Sequence, residues 1–252
     1  MRSTFKYCSL VIFLLFIFTS VSFGASHSKA KTYLDHYDDG IMDEWDSDYN
    51  TAIMDFTLAI QASPEYSAAF SERGYSYYMI SSYDQAIADE TKALDIYPGS
   101  SFAYYTRGLA YNDKANYDQA IADYNSAINI RPDYPSAYAE RGYSYYNQNN
   151  YDQCIADCNK AIELDSNSEL AYQYRGYAYG RQGNYSQEVA DETTAVGMNP
   201  NAGWAYVGRA QAYYQLQEYD NAWADVHKAQ SLGKTVYQDL IDNLRTATGR
   251  DE

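Results

Sequence analysis

SFAYYTRGLAYNDKANYDQAIADYNSAINIRPDY, residues 101–134, is the stretch that decides the fold. It carries Arg107-Gly108 near its start, Tyr117-Asp118-Gln119-Ala120 at its middle and Pro132 near its end. Steps of 34 residues in either direction find the first pair again at Arg73-Gly74, Arg141-Gly142 and Arg175-Gly176, then Arg209-Ala210, with Gly40 one step before. The second marker returns, or nearly so, at Tyr49, Tyr83, Tyr151, Tyr185 and Tyr219. Two markers on one period over six units define a repeat architecture. Each unit predicts two helices. In residues 67–82 Phe70, Gly74, Tyr77 and Tyr78 fall at helical spacing. In residues 83–97 Ala86, Ile87, Ala93, Leu94 and Ile96 do the same. Pro64, Pro98, Pro132 and Pro200 close the second helix of their units. A pair of such short helices cannot bury its apolar face alone, so neighbouring units must stack.

This pattern resembles the tetratricopeptide repeat. The third unit supplies that family's positions as Tyr104, Gly108, Tyr111, Ala120, Tyr124, Ala127 and Pro132; the second supplies Phe70, Gly74, Tyr77, Ala86, Ala93 and Pro98, with Glu90 in place of an aromatic. The resemblance covers residues 33–236 as six units: 33–66, 67–100, 101–134, 135–168, 169–202 and 203–236. It implies an all-α fold, a right-handed α-α superhelix closed by a C-terminal capping helix. Residues 237–252 fit that cap and tail, with Tyr237, Leu240, Ile241 and Leu244 forming one apolar stripe. Unit one departs from the pattern, placing His36 at the large position and Asp43 at the aromatic one. Unit five places Glu188 and Glu192 where Ala and an aromatic belong, which predicts a looser or deliberately polar joint.

Where the family has an apolar residue before the glycine, five units have Arg, each with an Asp sixteen residues later: Arg73/Asp89, Arg107/Asp123, Arg141/Asp157, Arg175/Asp191 and Arg209/Asp225. We expect an ion pair bridging the two helices of each unit, a structural rather than a catalytic use. Unit one has Asp39 facing Asp55 and lacks the bridge.

The resemblance also implies that the first helices line a concave groove. The groove positions on this chain include Tyr75, Tyr78, Phe102, Tyr105, Tyr143, Tyr146, Tyr177, Arg181, Trp204 and Tyr214, an aromatic and nearly uncharged trough. Tyrosine brings large contact area at low entropic cost together with a hydroxyl; it also fills packing positions such as Tyr104, Tyr138 and Tyr172. The family's carboxylate clamp for chaperone tails needs Lys, Arg and Asn. Here the ninth positions are Ile41, Tyr75, Leu109, Tyr143, Tyr177 and Gln211, and the sixth positions carry no base. The expectation is a non-enzymatic adaptor that holds a peptide segment of another protein. A carbohydrate- or peptidoglycan-binding module using the same rings is the alternative, and self-association stays open.

Composition narrows the partners. The 252 residues hold 18 Lys and Arg against 34 Asp and Glu, for a net charge of −16. That excludes nucleic acid, whose phosphates need basic side chains, and an anionic membrane surface. Tyrosine supplies 31 residues. The first 24 residues read as a secretory signal: Arg2 and Lys6, then the apolar run Leu10 to Phe18, then Ser22 and Gly24 ahead of a cut before Ala25. An uncleaved N-terminal anchor is the alternative. Residues 25–32 are read as a linker, and the protein is expected in the periplasm or outside the cell.

Other signals weigh less. Cys154 and Cys158 stand one helical turn apart, a poor geometry for a disulfide and a good one for core filling. Asp46, Asp48 and Asn50 hint at a calcium loop, but Thr51 replaces its glycine and Thr57 its closing glutamate. The acidic run through residues 35–48 reads instead as a solvated cap. Gly233-Lys234-Thr235 lacks the first glycine of a phosphate loop. No cofactor, catalytic set or metal site is expected.

Overall fold

A computed structural model describes residues 31–250. The expected signal at 1–24, its cleavage site and the linker up to residue 30 lie outside the described residues. Unit one folds as α1 (Tyr33–Trp45) and α2 (Tyr49–Ala62), and unit two as α3 (Ser67–Met79) and α4 (Tyr83–Ile96). Unit three forms α5 (Ser101–Asp113) and α6 (Tyr117–Ile130), and unit four α7 (Pro135–Asn147) and α8 (Tyr151–Leu164). Units five and six give α9 (Glu169–Arg181), α10 (Tyr185–Met198), α11 (Gly203–Gln215) and α12 (Tyr219–Ser231), and α13 (Gln238–Thr248) follows. No strand occurs among the described residues, and no helix among them is long and apolar enough to cross a membrane.

Each helix packs on its partner and then on the helix that follows, so the units stack in chain order as an α-solenoid. The first helices of successive units also touch one another, whereas second helices meet no other second helix among the described residues. The first helices therefore line the inside of the curve.

Two register positions explain why the helices within a unit come so close. The glycine eight residues into units one to five faces a side chain on the second helix sixteen residues later: a β-carbon on Gly108 would stand 2.7 Å from the Tyr124 ring, and one on Gly40 2.7 Å from Phe56. That second-helix position is fully buried in every unit, whether it holds Phe56, Glu90, Tyr124, Cys158, Glu192 or Val226. The turn between the paired helices puts one residue in the left-handed region each time: Ser47, Ser81, Ala115, Asn149, Gly183 and Gln217, with φ from 58° to 79°. Such a residue ends a helix while returning its last carbonyls to hydrogen bonds, as Ser82 and Asn116 do by donating to the Tyr77 and Tyr111 carbonyls.

The expected Arg–Asp pairs form in all five units, each bidentate through Nε and Nη2. In unit three Arg107 donates to Asp123 at 2.8 Å twice, with the guanidinium side chain 18% and the carboxylate 8% exposed. The guanidinium has a third bond that the sequence reading did not foresee. Its Nη1 reaches back to the preceding unit, donating to Thr57, Thr91, Asn125, Asn159 or Thr193. It also lies over the first helix's aromatic, 5.3–5.7 Å from the rings of Phe70, Tyr104, Tyr138, Tyr172 and Tyr206. Each arginine thus joins three helices and two units.

At the ends, Thr32 closes a capping box on α1 with Asp35, so the expected linker already belongs to the helix at its last residue. Leu240 and Leu244 of α13 bury against Val226 and Trp223. Tyr237 does not join that stripe; it is the N-cap of α13 and is exposed. Cys154 and Cys158 are free thiols, fully buried. Asp48 caps α2, accepting from the Thr51 amide and hydroxyl.

Candidate functional site

The inner wall is built on the first helices, and its best-developed part lies on α7 and α9. Tyr143 and Tyr174 stack with centroids 4.5 Å apart and planes 23° from parallel. Tyr146 continues the row, 6.3 Å from Tyr143 and 6.0 Å from Tyr177. Arg181 closes it by donating from Nε to the Tyr146 hydroxyl at 3.2 Å. Tyr143, Tyr146 and Tyr177 are half-buried and Arg181 is exposed, so the row keeps part of its ring surface and one cation open to solvent. Toward the N-terminus Tyr75 and Phe102 pair at 5.8 Å.

The rings are held from behind. Tyr78, Tyr146 and Tyr214 occupy the same register position, and each packs on the tyrosine that opens the following helix: Tyr83 at 5.9 Å, Tyr151 at 5.8 Å and Tyr219 at 5.9 Å. Rings fixed on helices and braced in this way lose little freedom on binding.

Of the ten sequence-derived groove residues, two differ from the open wall expected. Tyr105 is 9% exposed and belongs to the interior of units three and four, packed on Tyr134 at 4.9 Å and Tyr124 at 6.0 Å. Its neighbour across the helix is large enough to roof it, and the shared register position could not show that. Trp204 is exposed, but one face of its indole carries the Lys234 ammonium at 5.4 Å. Lys234 of the Gly-Lys-Thr stretch thus serves packing.

Acidic side chains also line the trough. Glu44 accepts from the Ser76 hydroxyl at 2.5 Å, and the Glu72 and Asp113 carboxyls stand close to the Tyr37 and Tyr78 phenols. Burial pushes the carboxyls of Glu44 and Glu72 above the usual range, and burial followed by Asp113 raises Glu140 to about 8. Burial holds the Tyr78 and Tyr177 phenols well above their ordinary value as well, so they are neutral hydrogen-bonding groups at any physiological pH. These carboxyls, with Tyr174 and Tyr37, are the wall residues that sequence reasoning missed. The acids at the sixth, twelfth and thirteenth positions of the units were the available signal.

Unit five has a compensated exchange. Glu188 stands where the other units have Ala or Cys, and Gly180 stands where they have Glu, Tyr or Asn. A β-carbon on Gly180 would fall within van der Waals overlap of the Glu188 carboxyl. The polar side chain from the second helix fills the space that a first-helix side chain vacates. Burial raises the Glu188 carboxyl to about 8.

Comparison with known proteins agrees with this geometry. The family described as "TPR repeat" matches residues 108–149, and "Tetratricopeptide repeat" matches residues 135–168. The chain is a tetratricopeptide repeat protein. It is similar in structure to a chain of the APC/C hetero-tetramer Cut9-Hcn1, with a TM-score of 0.77 at 17% identity over 86% of this chain; it spans 43% of that longer chain. A tetratricopeptide repeat protein from Parabacteroides merdae gives a TM-score of 0.67 at 20% identity, over 86% of this chain and 87% of that one. YrrB, described as a TPR protein with an unusual peptide-binding site, gives 0.58 at 18% identity, over 77% and 98%. No curated protein matches the sequence. Tetratricopeptide repeats generally serve as non-catalytic scaffolds for protein–protein interaction, and this repeat protein has the fold for that role.

Proposed function

We propose that this tetratricopeptide repeat protein is an exported, non-enzymatic adaptor that holds a basic or neutral peptide segment of another protein along its inner wall. The carrying observation is the row Tyr143, Tyr146 and Tyr177 with Arg181, half-open on rigid helices. Aromatic edges and hydroxyls supply stacking and hydrogen bonds to a peptide of mixed sequence. The net charge of −16 favours basic segments and opposes acidic ones. The peptide-binding site described for YrrB is in keeping with this use of the fold. A sugar ring needs an open aromatic face. Tyr143 has one face covered by Tyr174 and Trp204 has one covered by Lys234. One open face suffices for a sugar, so the peptide reading is preferred on the use of this fold described for YrrB, and the test below separates the two. Export rests on the leader-like residues 1–24.

The test uses the 252-residue chain against an array of synthetic peptides graded in charge. Basic and neutral peptides should bind, and Tyr143→Ala/Tyr146→Ala should weaken them at least tenfold with helicity unchanged. Equal binding by the double variant defeats the assignment of the wall. Retention on soluble peptidoglycan fragments, with no peptide bound, selects the carbohydrate alternative. N-terminal sequencing of the protein from its native cells should begin at Ala25; a chain that retains Met1 argues against cleaved export.

A further inference from the structure

Unit one breaks the ion-pair rule in a way that calls for a cation. In units two to six a guanidinium at the seventh position lies between an aromatic at the fourth position and an Asp on the second helix. In unit one the same three register positions hold Asp39, His36 and Asp55. The positive group is replaced by a carboxylate, and the aromatic by an imidazole that can donate a lone pair. One potential donor atom from each of the three residues falls within 4.8 Å of the others, all half-buried. His36 Nδ1 stands 3.8 Å from an Asp55 oxygen. That nitrogen is shielded from solvent and has no hydrogen-bond partner. A fourth group is at hand, since the Asp43 carboxyl stands beside that of Asp55.

We infer that His36, Asp39 and Asp55 form a binding site for a divalent first-row transition ion, with zinc as the type, where the other units use arginine. One imidazole with two carboxylates, and a third carboxylate adjacent, is a donor set for zinc, cobalt, manganese or iron rather than for calcium or magnesium, which take oxygen alone. A tetrahedral ion with bonds of about 2.0–2.1 Å holds its ligands about 3.4 Å apart, so the side chains close onto it by small rotations. His36 and Asp39 come from α1 and Asp55 from α2. The ion therefore joins the two helices of the one unit that has no guanidinium to do so. The site lies in unit one and Arg181 in unit five, so its test does not depend on the peptide-binding reading.

The full chain is titrated with zinc chloride while thermal unfolding is followed by circular dichroism, and separately with cobalt(II) chloride while visible d–d absorption is recorded. One equivalent of zinc should raise the midpoint, with magnesium and calcium inactive at the same concentration, and cobalt should give a 1:1 absorption endpoint. His36→Phe, which installs the aromatic of unit two, should weaken both responses at least tenfold. Asp39→Arg should abolish them while making the metal-free chain as stable as the zinc-loaded one, because it restores the pair with Asp55. This second variant is expected to fold better than the parent, so a loss of binding there cannot be attributed to unfolding. A wild-type chain that gives no zinc-dependent shift overturns the site, as does undiminished zinc and cobalt binding in both variants.

Discussion

At the scale of single residues, the arginine at the seventh position does more than its neighbours. It makes two bonds to its own unit's Asp, one to the unit before, and a contact over an aromatic ring. Removing its carboxylate partner leaves a largely buried guanidinium with one neutral acceptor, which costs more than the intact pair contributes. Asp123→Ala should therefore lower stability by about 2–4 kcal/mol in urea unfolding. An unchanged midpoint would mean that water replaces the carboxylate at no cost. The Arg–Asp half of this network was legible because both residues repeat without variation in units two to six. The backward bond was not, since its acceptor alternates between Thr and Asn and lies in another unit. The left-handed turn residue was less legible still. Ser, Ala, Asn, Gln and Gly all occupy it, because the turn's hydrogen bonds rather than the side chain impose its φ.

At the scale of elements, α10 is the exception among second helices. Glu192 is fully buried, and neither of its carboxyl oxygens has a hydrogen-bond partner. It packs against Gly176, Gly208 and the Tyr177 ring, with Glu188 and Asp191 on its own helix and Arg209 and Asp225 on α11 and α12. Burial first, then the Glu188 charge, holds its carboxyl well above the usual range against the opposing pull of Arg209. A carboxyl whose folded pKa lies above its unfolded value near 4.3 favours the fold fully below that value, and this contribution is lost as pH rises through the folded pKa. For Glu188 and Glu140 that window reaches from the unfolded value to about 8. The chain should thus melt at a lower temperature at pH 9 than at pH 5. Glu192→Leu removes one of the groups responsible and should raise the midpoint at pH 9 by roughly 5 °C, with little change at pH 5. A variant that loses as much as the parent between those pH values would show that Glu192 is already ionised in the fold. The sequence pattern marked this joint as polar. The fit of Glu188 against Gly180 escaped it, because that compensation pairs positions from two helices.

At the scale of the whole molecule, the helix pairs, their order and their cap were legible because a 34-residue period constrains all of them together. The wall was legible only in part. Register says which side chains point inward, but whether a ring stays open depends on the size of its neighbours. Tyr105 is closed over by Tyr124 and Tyr134, whereas Tyr143 is not. Stability in such a stack is close to a sum of unit and nearest-neighbour terms, so damage at one end should remain there. Leu244 is fully buried where α13 covers Val226 and Trp223. Leu244→Asp would bury a charge or detach the cap, and either outcome exposes the apolar face of unit six. Hydrogen exchange should then rise by at least an order of magnitude in residues 203–248, more weakly in 169–202, and hardly at all in 67–130, where the arginine bonds still link each unit to the one before. A uniform rise along the solenoid would instead mean that the six units unfold as one cooperative block and that the bonds between units, not those within them, govern the stability of the stack.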